Sequence, residues 1–259
     1  MGLLDGAAVL VSGGTQGVGA AAARAALRQG AAVVVSGRRA EVGEATVARL
    51  RSDGFDHVSF VRADVADVAQ ARASVAAVVE AHGRIDGLVN AAGLTTRGSL
   101  LETTPELFDA HIAVNLRGPF FCMQAAVADM VRRGAPGAIV NVGSTSQLGG
   151  QPYLAPYVAA KAGLSGLTRN AAHAHRFDRI RINQLDIGWT DTEGEDLTQR
   201  AFHDADDSWR EQAAARLPLG RLGQVDEIAD MIVFLLSDRS GVVTGSVLDW
   251  DQNVFGGLD

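Results

Sequence analysis

The most constraining feature of this sequence is the regular alternation of short apolar, β-branched runs with longer Ala-rich stretches. Seven runs have the length and composition of strands, and they end at Val11, Val35, Val61, Asn90, Val142, Leu185 and Trp250. Six Ala-rich stretches carry apolar residues at helical spacing and are long enough for crossover helices: residues 17–29, 40–52, 67–82, 105–132, 156–177 and 225–236. This alternation predicts a mostly parallel sheet covered on both faces, an α/β fold with a doubly wound parallel sheet.

The chain shows no linker-like tract rich in Pro, Gly and Ser and no block of like charges that would divide it. We therefore expect a single domain over residues 1–259. Only residues 188–216 break the alternation, because this stretch is polar and acidic. Between Glu193 and Glu211 it carries seven carboxylates against two arginines. We interpret residues 188–216, called the lid segment below, as a small lid insertion within the domain.

The composition excludes several classes of protein. The net charge is −7, and no cluster of Lys and Arg could follow a phosphate backbone or an anionic membrane, so we expect no nucleic-acid and no membrane partner. No apolar run approaches the roughly 20 residues that span a bilayer, and the N-terminal sequence lacks a signal peptide, so we expect a cytoplasmic protein. The single cysteine, Cys122, excludes an intrachain disulfide and is predicted to be a buried structural thiol.

A glycine-rich turn follows the first predicted strand and opens the first predicted helix. It reads SGGTQGVG over residues 12–19. Glycines permit a tight turn and let the backbone approach a pyrophosphate, whose charge is stabilised by free N–H groups and the helix dipole. Such a turn can be purely structural, but its place after strand one of a βαβ unit favours dinucleotide binding. The candidate ligands here are Gly13, Thr15, Gln16, Gly17, Val18 and Gly19.

A tyrosine and a lysine four residues apart, Tyr157 and Lys161, form the sharpest chemical pattern. Residues at this spacing share a helix face, so the phenol and the ammonium group can point into the same cleft. A phenol with a pKa near 10 is a poor base at pH 7, and a nearby cation lowers that pKa. Ser144, directly after the fifth strand, can hydrogen-bond the reacting oxygen. These residues predict acid/base chemistry at an oxygen atom.

Together these patterns resemble the short-chain dehydrogenase/reductase family over nearly the whole chain. The glycine turn is similar to the family motif TGxxxGxG, with Ser12 in place of Thr, and differs from the GxGxxG of the usual Rossmann dehydrogenases. The sequence NAAG over residues 90–93 is similar to the NNAG motif, and Asn115 and Ser144 stand in register with the YxxxK pattern. The resemblance implies a Rossmann-like fold and an NAD(P)(H)-dependent oxidoreductase that transfers hydride at a carbonyl or alcohol carbon.

The resemblance also implies catalytic roles. Tyr157 would be the acid/base, Lys161 would lower its pKa and bind the nicotinamide ribose, and Ser144 would hold the substrate oxygen. Asn115 would anchor a water chain to solvent. In reduction, hydride reaches the carbonyl carbon while Tyr157 protonates the oxygen. We expect no metal, because this reaction needs none and the histidines show no ligand spacing.

Further cofactor contacts follow from the same resemblance. Asp64 would hydrogen-bond the adenine amino group, with Val65 beside it, although without the family match Asp64 reads equally well as a helix N-cap. Asn90, Ala91 and Gly93 would border the ribose on the nicotinamide side.

The end of the second strand bears on the choice between the two nicotinamide dinucleotides. An NAD enzyme places a carboxylate here for the ribose 2′-hydroxyl, whereas a guanidinium complements the 2′-phosphate of NADP. Gly37 stands at the carboxylate position and two arginines follow it, which favours NADP(H). Gln16 replaces the basic residue that some NADP-preferring members carry, so NAD(H) stays open. The candidate ligands are Ser36, Arg38 and Arg39.

The loop after the sixth strand departs from the family pattern. The family usually has Pro-Gly, followed by residues that hold the nicotinamide amide, and here Ile187 replaces the proline. Gly188, Thr190 and Thr192 remain as candidate cofactor contacts. Because Ile187 does not fix φ as proline does, we expect cofactor binding to survive and substrate geometry to differ from the commonest members.

Residues beside the catalytic groups are candidate substrate contacts, although the apolar ones could instead be core. The acidic lid segment disfavours an anionic acyl-carrier or phosphorylated substrate, because like charges repel, unless its carboxylates are simply solvated. A neutral sugar, polyol or small ketone is therefore preferred as the small-molecule substrate. The candidates are Ser144, Ser146, Leu94, Tyr153, Leu154, Tyr157 and Trp189, with Phe202 and Trp209 from the lid segment.

Two further expectations concern assembly and the alternative function. The family is typically homotetrameric, and residues 243–259 carry apolar side chains that would suit an interface, although WDQ stands where members often have DGG. The alternative function is a catalytically silent dinucleotide-binding regulator of the same fold. Loss of a catalytic residue would be its signature, and none is missing.

Overall fold

The computed structural model describes residues 2–254, and a seven-stranded parallel sheet lies at its centre. The strands are β1 (Ala8–Ser12), β2 (Ala32–Gly37), β3 (Val58–Arg62), β4 (Gly87–Asn90), β5 (Gly137–Ser144), β6 (Ile180–Ile187) and β7 (Val247–Trp250). The α-helices are α1 (Gly17–Arg28), α2 (Ala40–Ser52), α3 (Val68–His82), α4 (Pro105–Ile112), α5 (Gly118–Arg133), α6 (Ala155–Ala174), α7 (Glu193–His203), α8 (Trp209–Ala214) and α9 (Val225–Leu236). All seven predicted strands are present.

The strand order is β3-β2-β1-β4-β5-β6-β7, with every neighbouring pair parallel. The order reverses between β1 and β4, which creates a crevice at their carboxyl ends. Ser12 pairs with Ser36 on one side and with Asn90 on the other, so three strands end at the same level. The predicted doubly wound sheet is confirmed, and its switch point lies beside the glycine turn.

Helices bury both faces of the sheet. One apolar cluster joins α1 and α9 to Val11 and Val35, and the other joins α3 and α5 to Leu10 and Ile139. Each buried aliphatic side chain of this size contributes about 1.5–3 kcal/mol. Cys122 is fully buried in the second cluster, and burial raises the pKa of its thiol to about 11, which confirms the predicted structural thiol. Within residues 2–254, none of the helices has the length and apolar character to cross a membrane.

The stretch predicted as one helix over 105–132 is divided in the structure. Thr104 caps α4, and a π-helical turn, Ala113–Arg117, separates α4 from α5. Pro119 has no backbone N–H and its ring crowds the preceding turn, so an uninterrupted α-helix is disfavoured there. Gly118 also packs against Val65, where an added Cβ would lie 2.5 Å from Cγ2 of Val65.

The helix predicted over 156–177 ends earlier. α6 stops at Ala174 and a short 3₁₀ turn, Arg176–Asp178, follows it. The His175 ring hydrogen-bonds the Asp178 carboxylate at 2.8 Å, and Arg179 adopts a φ of 62°. This left-handed residue turns the chain into β6.

The lid segment forms α7 and α8 and contributes to a small apolar cluster. Trp209 is 5% exposed and packs with Ala213 and Leu222. The ring of Trp189 stacks on Trp209, with 6.3 Å between centroids and 25° between planes. These contacts fix α8 to the loop after β6.

Much of the acidity of the lid segment is paired within the segment. Arg200 forms ion pairs with Asp196 and Asp207, and Arg210 with Asp191 and Asp196. Hydrogen bonds from Arg200 and Trp209 hold the pKa of Asp196 well below its usual range. The local excess of negative charge near the cleft is therefore smaller than the composition indicates.

Candidate active site

A cleft of about 1100 Å³ runs along the carboxyl edge of the sheet. It extends from Arg38 and Asp64 at one end, past Ser144 at the middle, to Trp189 and other lid-segment residues at the opposite end. This volume slightly exceeds the range of about 300–1,000 Å³ for small-molecule sites and suits a dinucleotide with a small substrate.

The glycine turn forms part of the cleft wall because its backbone approaches two other segments. Gly13 has a φ of +78°, and an added Cβ there would lie 2.5 Å from the backbone nitrogen of Ala92. An added Cβ at Gly19 would collide with the carbonyl oxygen of Gly13. Gln16 precedes α1 without a side-chain cap, so the first N–H groups of the helix have no side-chain partner. This cradle fits a pyrophosphate, and all six predicted residues of the turn line the cleft.

The end of β2 is basic and has little space for a carboxylate. An added Cβ at Gly37 would lie 2.9 Å from Cγ2 of Thr15. Arg39 donates to the Gln16 side chain at 2.5 Å, and Arg38 also lines the cleft, as does Ser36. Neither arginine has a carboxylate partner among residues 2–254.

Asp64 faces the cleft and is not the N-cap of the following helix. The cap of α3 is Asp67, whose side chain accepts from the Gln70 N–H at 3.1 Å. Asp64 Oδ1 accepts from the Ala66 N–H at 3.0 Å, which leaves its second oxygen for a ligand. Val65 lines the cleft beside it. The N-cap interpretation of Asp64 is therefore wrong.

The NAAG segment divides between the cleft and the interior. Ala91 and Gly93 line the cleft. Asn90 is 3% exposed, does not line the cleft, and donates to the Asn141 side chain at 2.8 Å. Its Oδ1 is the one buried side-chain oxygen or nitrogen without a partner among residues 2–254. The side chain of Asn90 thus joins β4 to β5 below the cleft.

Asn115 holds the loop that follows β4. Its Oδ1 accepts from the Leu94 N–H at 2.9 Å and its Nδ2 donates to the Leu94 carbonyl at 3.0 Å. Asn115 is fully buried in the π-helical turn and does not line the cleft. Its amide therefore positions Leu94 and Gly93 at the cleft wall.

Tyr157, Lys161 and Ser144 meet at the middle of the cleft, and all three line it. Tyr157 and Lys161 lie one turn apart on α6, with the ammonium nitrogen 5.6 Å from the phenol ring centroid. Lys161 donates to the Val142 carbonyl at 2.7 Å. Ser144, at the end of β5, accepts from the Ser146 N–H at 3.2 Å, which orients its hydroxyl.

The electrostatics of this group are dominated by burial. Burial raises the pKa of Tyr157 to about 12, and hydrogen bonding with Ser144 opposes the rise. Glu195 raises the pKa of Tyr157 further, while Arg97 lowers it. Burial lowers the pKa of Lys161 to about 8. The phenol is therefore protonated at neutral pH, and the lowering of the Tyr157 pKa by Lys161 stays a prediction.

His111 lies next to Tyr157, a neighbour that sequence reasoning missed. Its ring contacts the Tyr157 ring edge-on, with 6.1 Å between centroids. Nε2 lies 3.0 Å from the Thr96 hydroxyl and Nδ1 lies 3.2 Å from the Asn115 amide. Burial lowers the pKa of His111, so the neutral ring packs behind the phenol. The only sequence feature that connects His111 to the site is its position four residues before Asn115, on the same helical face.

The loop after β6 leaves the sheet later than a proline would allow. Ile187 pairs with Ser144 on β5 and with Trp250 on β7, so the ladder continues to the last residue of β6. A proline has no N–H for this ladder. The Gly188 N–H then donates to the Trp250 carbonyl at 3.1 Å.

The predicted nicotinamide contacts follow directly in this loop. Thr190 donates to the Gly188 carbonyl at 2.9 Å, and Thr192 caps α7 by accepting from the Glu195 N–H at 2.9 Å. The Thr192 methyl group lies 3.6 Å from an added Cβ at Gly17. The loop therefore faces the glycine turn across the cleft, and Gly188, Thr190 and Thr192 all line it.

The cleft is lined by every predicted substrate residue outside α7 and α8: Ser144, Ser146, Leu94, Tyr153, Leu154, Tyr157 and Trp189. Trp209 also lines the cleft, but its ring is mostly buried in the lid-segment cluster. Phe202 does not line the cleft, and its ring lies 6.0 Å from the guanidinium carbon of Arg97.

Three charged or titratable residues that line the cleft near the lid segment were not predicted: Arg97, Glu195 and His203. Arg97 donates to the Thr95 carbonyl at 2.8 Å and to the His203 ring at 3.3 Å. Glu195 accepts from the Trp189 indole at 2.8 Å and lines the cleft close to Tyr157. Arg97 comes from the loop after β4 and Glu195 and His203 come from α7, so no local motif joins them to the catalytic residues. Among residues 2–254, no group of His, Cys, Asp and Glu side chains is arranged to hold a metal ion.

Comparison with known proteins matches this geometry over nearly the whole chain. A family model described as enoyl-(acyl carrier protein) reductase matches residues 13–253. An L-rhamnose 1-dehydrogenase (NAD(P)(+)) of Azotobacter vinelandii is 39% identical over 258 residues, which cover 98% of both proteins. The 3-oxoacyl-[acyl-carrier-protein] reductase FabG of Staphylococcus aureus is 33% identical over 240 residues, 92% of this chain and 94% of the relative. A variant of the actinorhodin polyketide ketoreductase, solved with NADPH, has a TM-score of 0.92 at 31% identity and covers 99% of this chain and 100% of its own.

Proposed function

Since this chain belongs to the short-chain dehydrogenase/reductase family of oxidoreductases, we propose that it interconverts an alcohol and a ketone or aldehyde by hydride transfer, with Tyr157 as acid/base. The observation that carries this proposal is the meeting of Tyr157, Ser144 and Lys161 at the middle of one cleft. The cradle beside them fits a dinucleotide, and the lid segment closes the opposite end. The relatives are oxidoreductases, which speaks against the silent-regulator alternative.

The proton chemistry follows from the state of Tyr157. A nicotinamide bound along the cradle supplies or accepts the hydride. Because burial keeps the Tyr157 phenol protonated, Tyr157 is ready to donate a proton to the carbonyl oxygen during reduction. Ser144 holds that oxygen with its hydroxyl and stabilises the negative charge that develops on it.

Lys161 stabilises the phenolate that Tyr157 becomes after the transfer. Its ammonium lies 5.6 Å from the ring centroid and is held by the Val142 carbonyl. An ammonium group has three donors, so two remain for a ribose hydroxyl and for water. In the oxidative direction the same cation favours the phenolate that must accept the substrate proton.

A substrate panel tests the proposal. Ketones, aldehydes and sugars are assayed with NADPH and NADH, and sugars and polyols with the oxidised cofactors, by following nicotinamide absorbance. We expect turnover of at least one class. A protein that binds a dinucleotide tightly and turns over no member of the panel would support the silent regulator instead.

We also propose a preference for NADP(H). Gly37 leaves no carboxylate for the 2′-hydroxyl, and Arg38 and Arg39 lie at the cleft without carboxylate partners among residues 2–254. A 2′-phosphate would pair with both guanidinium groups. The Gln16 side chain fixes Arg39 at the mouth of the glycine turn, which reduces the entropy lost on binding.

Replacing Arg38 by Ala is expected to weaken NADPH binding by about 10- to 100-fold, because a hydrogen bond to a charged group contributes about 1.5–3 kcal/mol. NADH binding should change much less. Both dissociation constants are measured by nicotinamide fluorescence titration. Arg49→Ala is the matched control, because it removes an exposed arginine from the end of α2, away from the cleft. Equal losses for NADPH and NADH in Arg38→Ala would contradict the assignment.

For the substrate we propose a neutral polyhydroxy compound, a sugar or polyol. Glu195 lines the cleft near Tyr157 and has a second oxygen beyond the one that holds Trp189 and Gln199. A carboxylate in this place accepts hydrogen bonds from substrate hydroxyls and repels anionic groups. The indole of Trp189 offers an apolar face beside it, and the rhamnose dehydrogenase relative acts on a sugar by its name.

Replacing Glu195 by Gln is expected to raise KM for the best sugar or polyol by about tenfold, since the charged acceptor becomes a neutral one. KM for a simple ketone should change little. Steady-state kinetics on both substrates measure the difference. Glu193→Gln serves as the control, because Glu193 is exposed in the first turn of the same helix and does not line the cleft. A similar KM increase for both substrates would argue against recognition of hydroxyl groups.

A further inference from the structure

Asp186 is a fully buried carboxylate that the proposed mechanism does not use. It lies on β6, on the same face as Gln184 two residues earlier, and none of its surface is exposed. Gln184 donates to its Oδ1 at 2.6 Å, and the Gln147 amide donates to its Oδ2. Removing a carboxylate from water costs free energy unless hydrogen bonds and an opposite charge compensate. These hydrogen bonds compensate part of that cost, and a buried carboxylate this close to the active site also needs an opposite charge nearby.

The neighbouring strand leaves room for this carboxylate behind the catalytic residues. Asp186 pairs with Gly143 on β5, and an added Cβ at Gly143 would collide with Oδ1 of Asp186. Gly143 stands between Val142, whose carbonyl accepts from Lys161, and Ser144. The carboxylate thus reaches across β5 to the point at which Lys161 is held.

Helix α6 contributes Ser165 to the hydrogen bonds around Asp186. Ser165, one turn after Lys161, accepts from Gln184 Nε2 at 2.6 Å and donates to the Gln147 side chain. Its hydroxyl also lies 3.2 Å from the Lys161 carbonyl. We call Asp186, Gln184, Gln147 and Ser165 the Asp186 cluster. It connects β6, the turn after β5 and the helix that carries Lys161.

The charges that act on Asp186 come from two elements. Lys161 on α6 is the cation, and Asp249, its register partner on β7, is the anion. Burial raises the pKa of Asp186 to about 6, while hydrogen bonding with Gln184 and the charge of Lys161 oppose the rise. The carboxylate is therefore ionised at neutral and alkaline pH. Its charge raises the pKa of Lys161, which burial alone would lower, and it also raises the pKa of Tyr157.

We propose that Asp186 is a positioning residue whose ionised carboxylate, fixed by Gln184 and Gln147, keeps Lys161 protonated at its place on the Val142 carbonyl. The inference rests on the proposed function, in which a charged Lys161 stabilises the phenolate of Tyr157. Asp186 does not line the cleft, so it acts through Lys161 and does not touch the substrate.

The composition of the chain allows a direct test. Lys161 is the only lysine in the sequence, so protein expressed with lysine labelled with ¹³C at Cε gives a single lysine side-chain resonance by NMR. Its chemical shift against pH reports the protonation of Lys161 without substrate or turnover. We expect Asp186→Asn to lower the pKa of Lys161 by about one unit or more, because an opposite charge nearby is removed. If the pKa of Lys161 did not fall in Asp186→Asn, the proposed function would be unaffected, because turnover of the substrate panel tests that function separately.

A second readout follows the reaction. In the reductive direction the alkaline limb of kcat/KM against pH is expected to move to lower pH by about one unit in Asp186→Asn. Loss of the negative charge lowers the pKa of the proton donor Tyr157 and that of Lys161 together. A purely structural role of Asp186 would lower stability or activity at every pH without moving this limb.

The control is Asp129→Asn, which removes another buried carboxylate, paired with Arg132 and Arg133 on α5 and away from the cleft. It should leave the Lys161 titration unchanged. An unchanged titration in folded Asp186→Asn, or an equal fall in Asp129→Asn, would overturn the proposal. If circular dichroism shows that Asp186→Asn is unfolded, Asp186→Ser, with its smaller side chain, is used instead.

The wild-type protein offers a test without any substitution. The Lys161 resonance should show a second inflection near the Asp186 pKa of about 6, and a flat signal in that pH range would also overturn the proposal.

Discussion

Replacing Tyr157 by Phe is expected to lower kcat by about 10²- to 10⁴-fold in both directions, the range that a positioned general acid or base contributes. The substitution removes only the hydroxyl oxygen, and the ring keeps its contact with His111. Dinucleotide binding should therefore stay close to the wild-type value. Steady-state kinetics give kcat, and fluorescence titration with NADPH gives the dissociation constant.

The chain supplies its own control for this substitution. It has two tyrosines, and the second, Tyr153, also lines the cleft but is 40% exposed. Tyr153→Phe removes the other phenol hydroxyl and should change KM more than kcat. Wild-type turnover in Tyr157→Phe, or an equal loss in Tyr153→Phe, would contradict the role of Tyr157.

Replacing Lys161 by Met is expected to lower kcat by a similar factor, about 10²- to 10⁴-fold, and also to weaken dinucleotide binding by about 10- to 100-fold. The kcat loss follows because no cation remains to stabilise the Tyr157 phenolate. The affinity loss follows because the ribose loses a charged donor. Met matches the buried stem of Lys161, which is 4% exposed, so the fold should persist.

A loss of both kcat and dinucleotide affinity would distinguish the role of Lys161 from that of Tyr157, because Tyr157→Phe should lower kcat alone. Arg169→Met removes a cation from an exposed position on the same helix and should change neither quantity. If Lys161→Met kept its dinucleotide affinity, Lys161 would not contact the ribose, and only its electrostatic role would remain.

Local sequence patterns predicted the bounds of helices correctly where the pattern of apolar residues itself ends with the helix. Helices α2 and α9 begin and end at the predicted residues, Ala40–Ser52 and Val225–Leu236, because apolar spacing stops where each helix stops. The interruption at Ala113–Arg117 was not predicted, because apolar spacing continues through it. Pro119 was visible in the sequence, but the contact of Gly118 with Val65 was not.

Residues that line the cleft were predicted wherever a motif is contiguous. The glycine turn and the tyrosine and lysine one turn apart all line the cleft, because each motif fixes its own geometry. The amides of Asn90 and Asn115 are instead engaged inside the protein, by Asn141 and by Leu94. A sequence motif marks a position but does not state which partner the side chain takes.

Several predictions stay predictions. Among them are the single domain over 1–259, the cytoplasmic location, the homotetramer and the roles of the site residues. The interface expected in residues 243–259 falls partly on 255–259, outside the described residues.

The sequence by itself determined the order of strands and helices, the place of the glycine turn after β1 and the spacing that puts Tyr157 and Lys161 one turn apart on α6. These depend on backbone preferences and on spacings within a few residues. The tertiary structure alone decided what surrounds that pair: Glu195 from α7, Arg97 from the loop after β4, and Asp186 from β6. Burial and long-range charge set the pKa values of Tyr157 and Lys161, and both depend on residues far apart in the chain that only folding brings together.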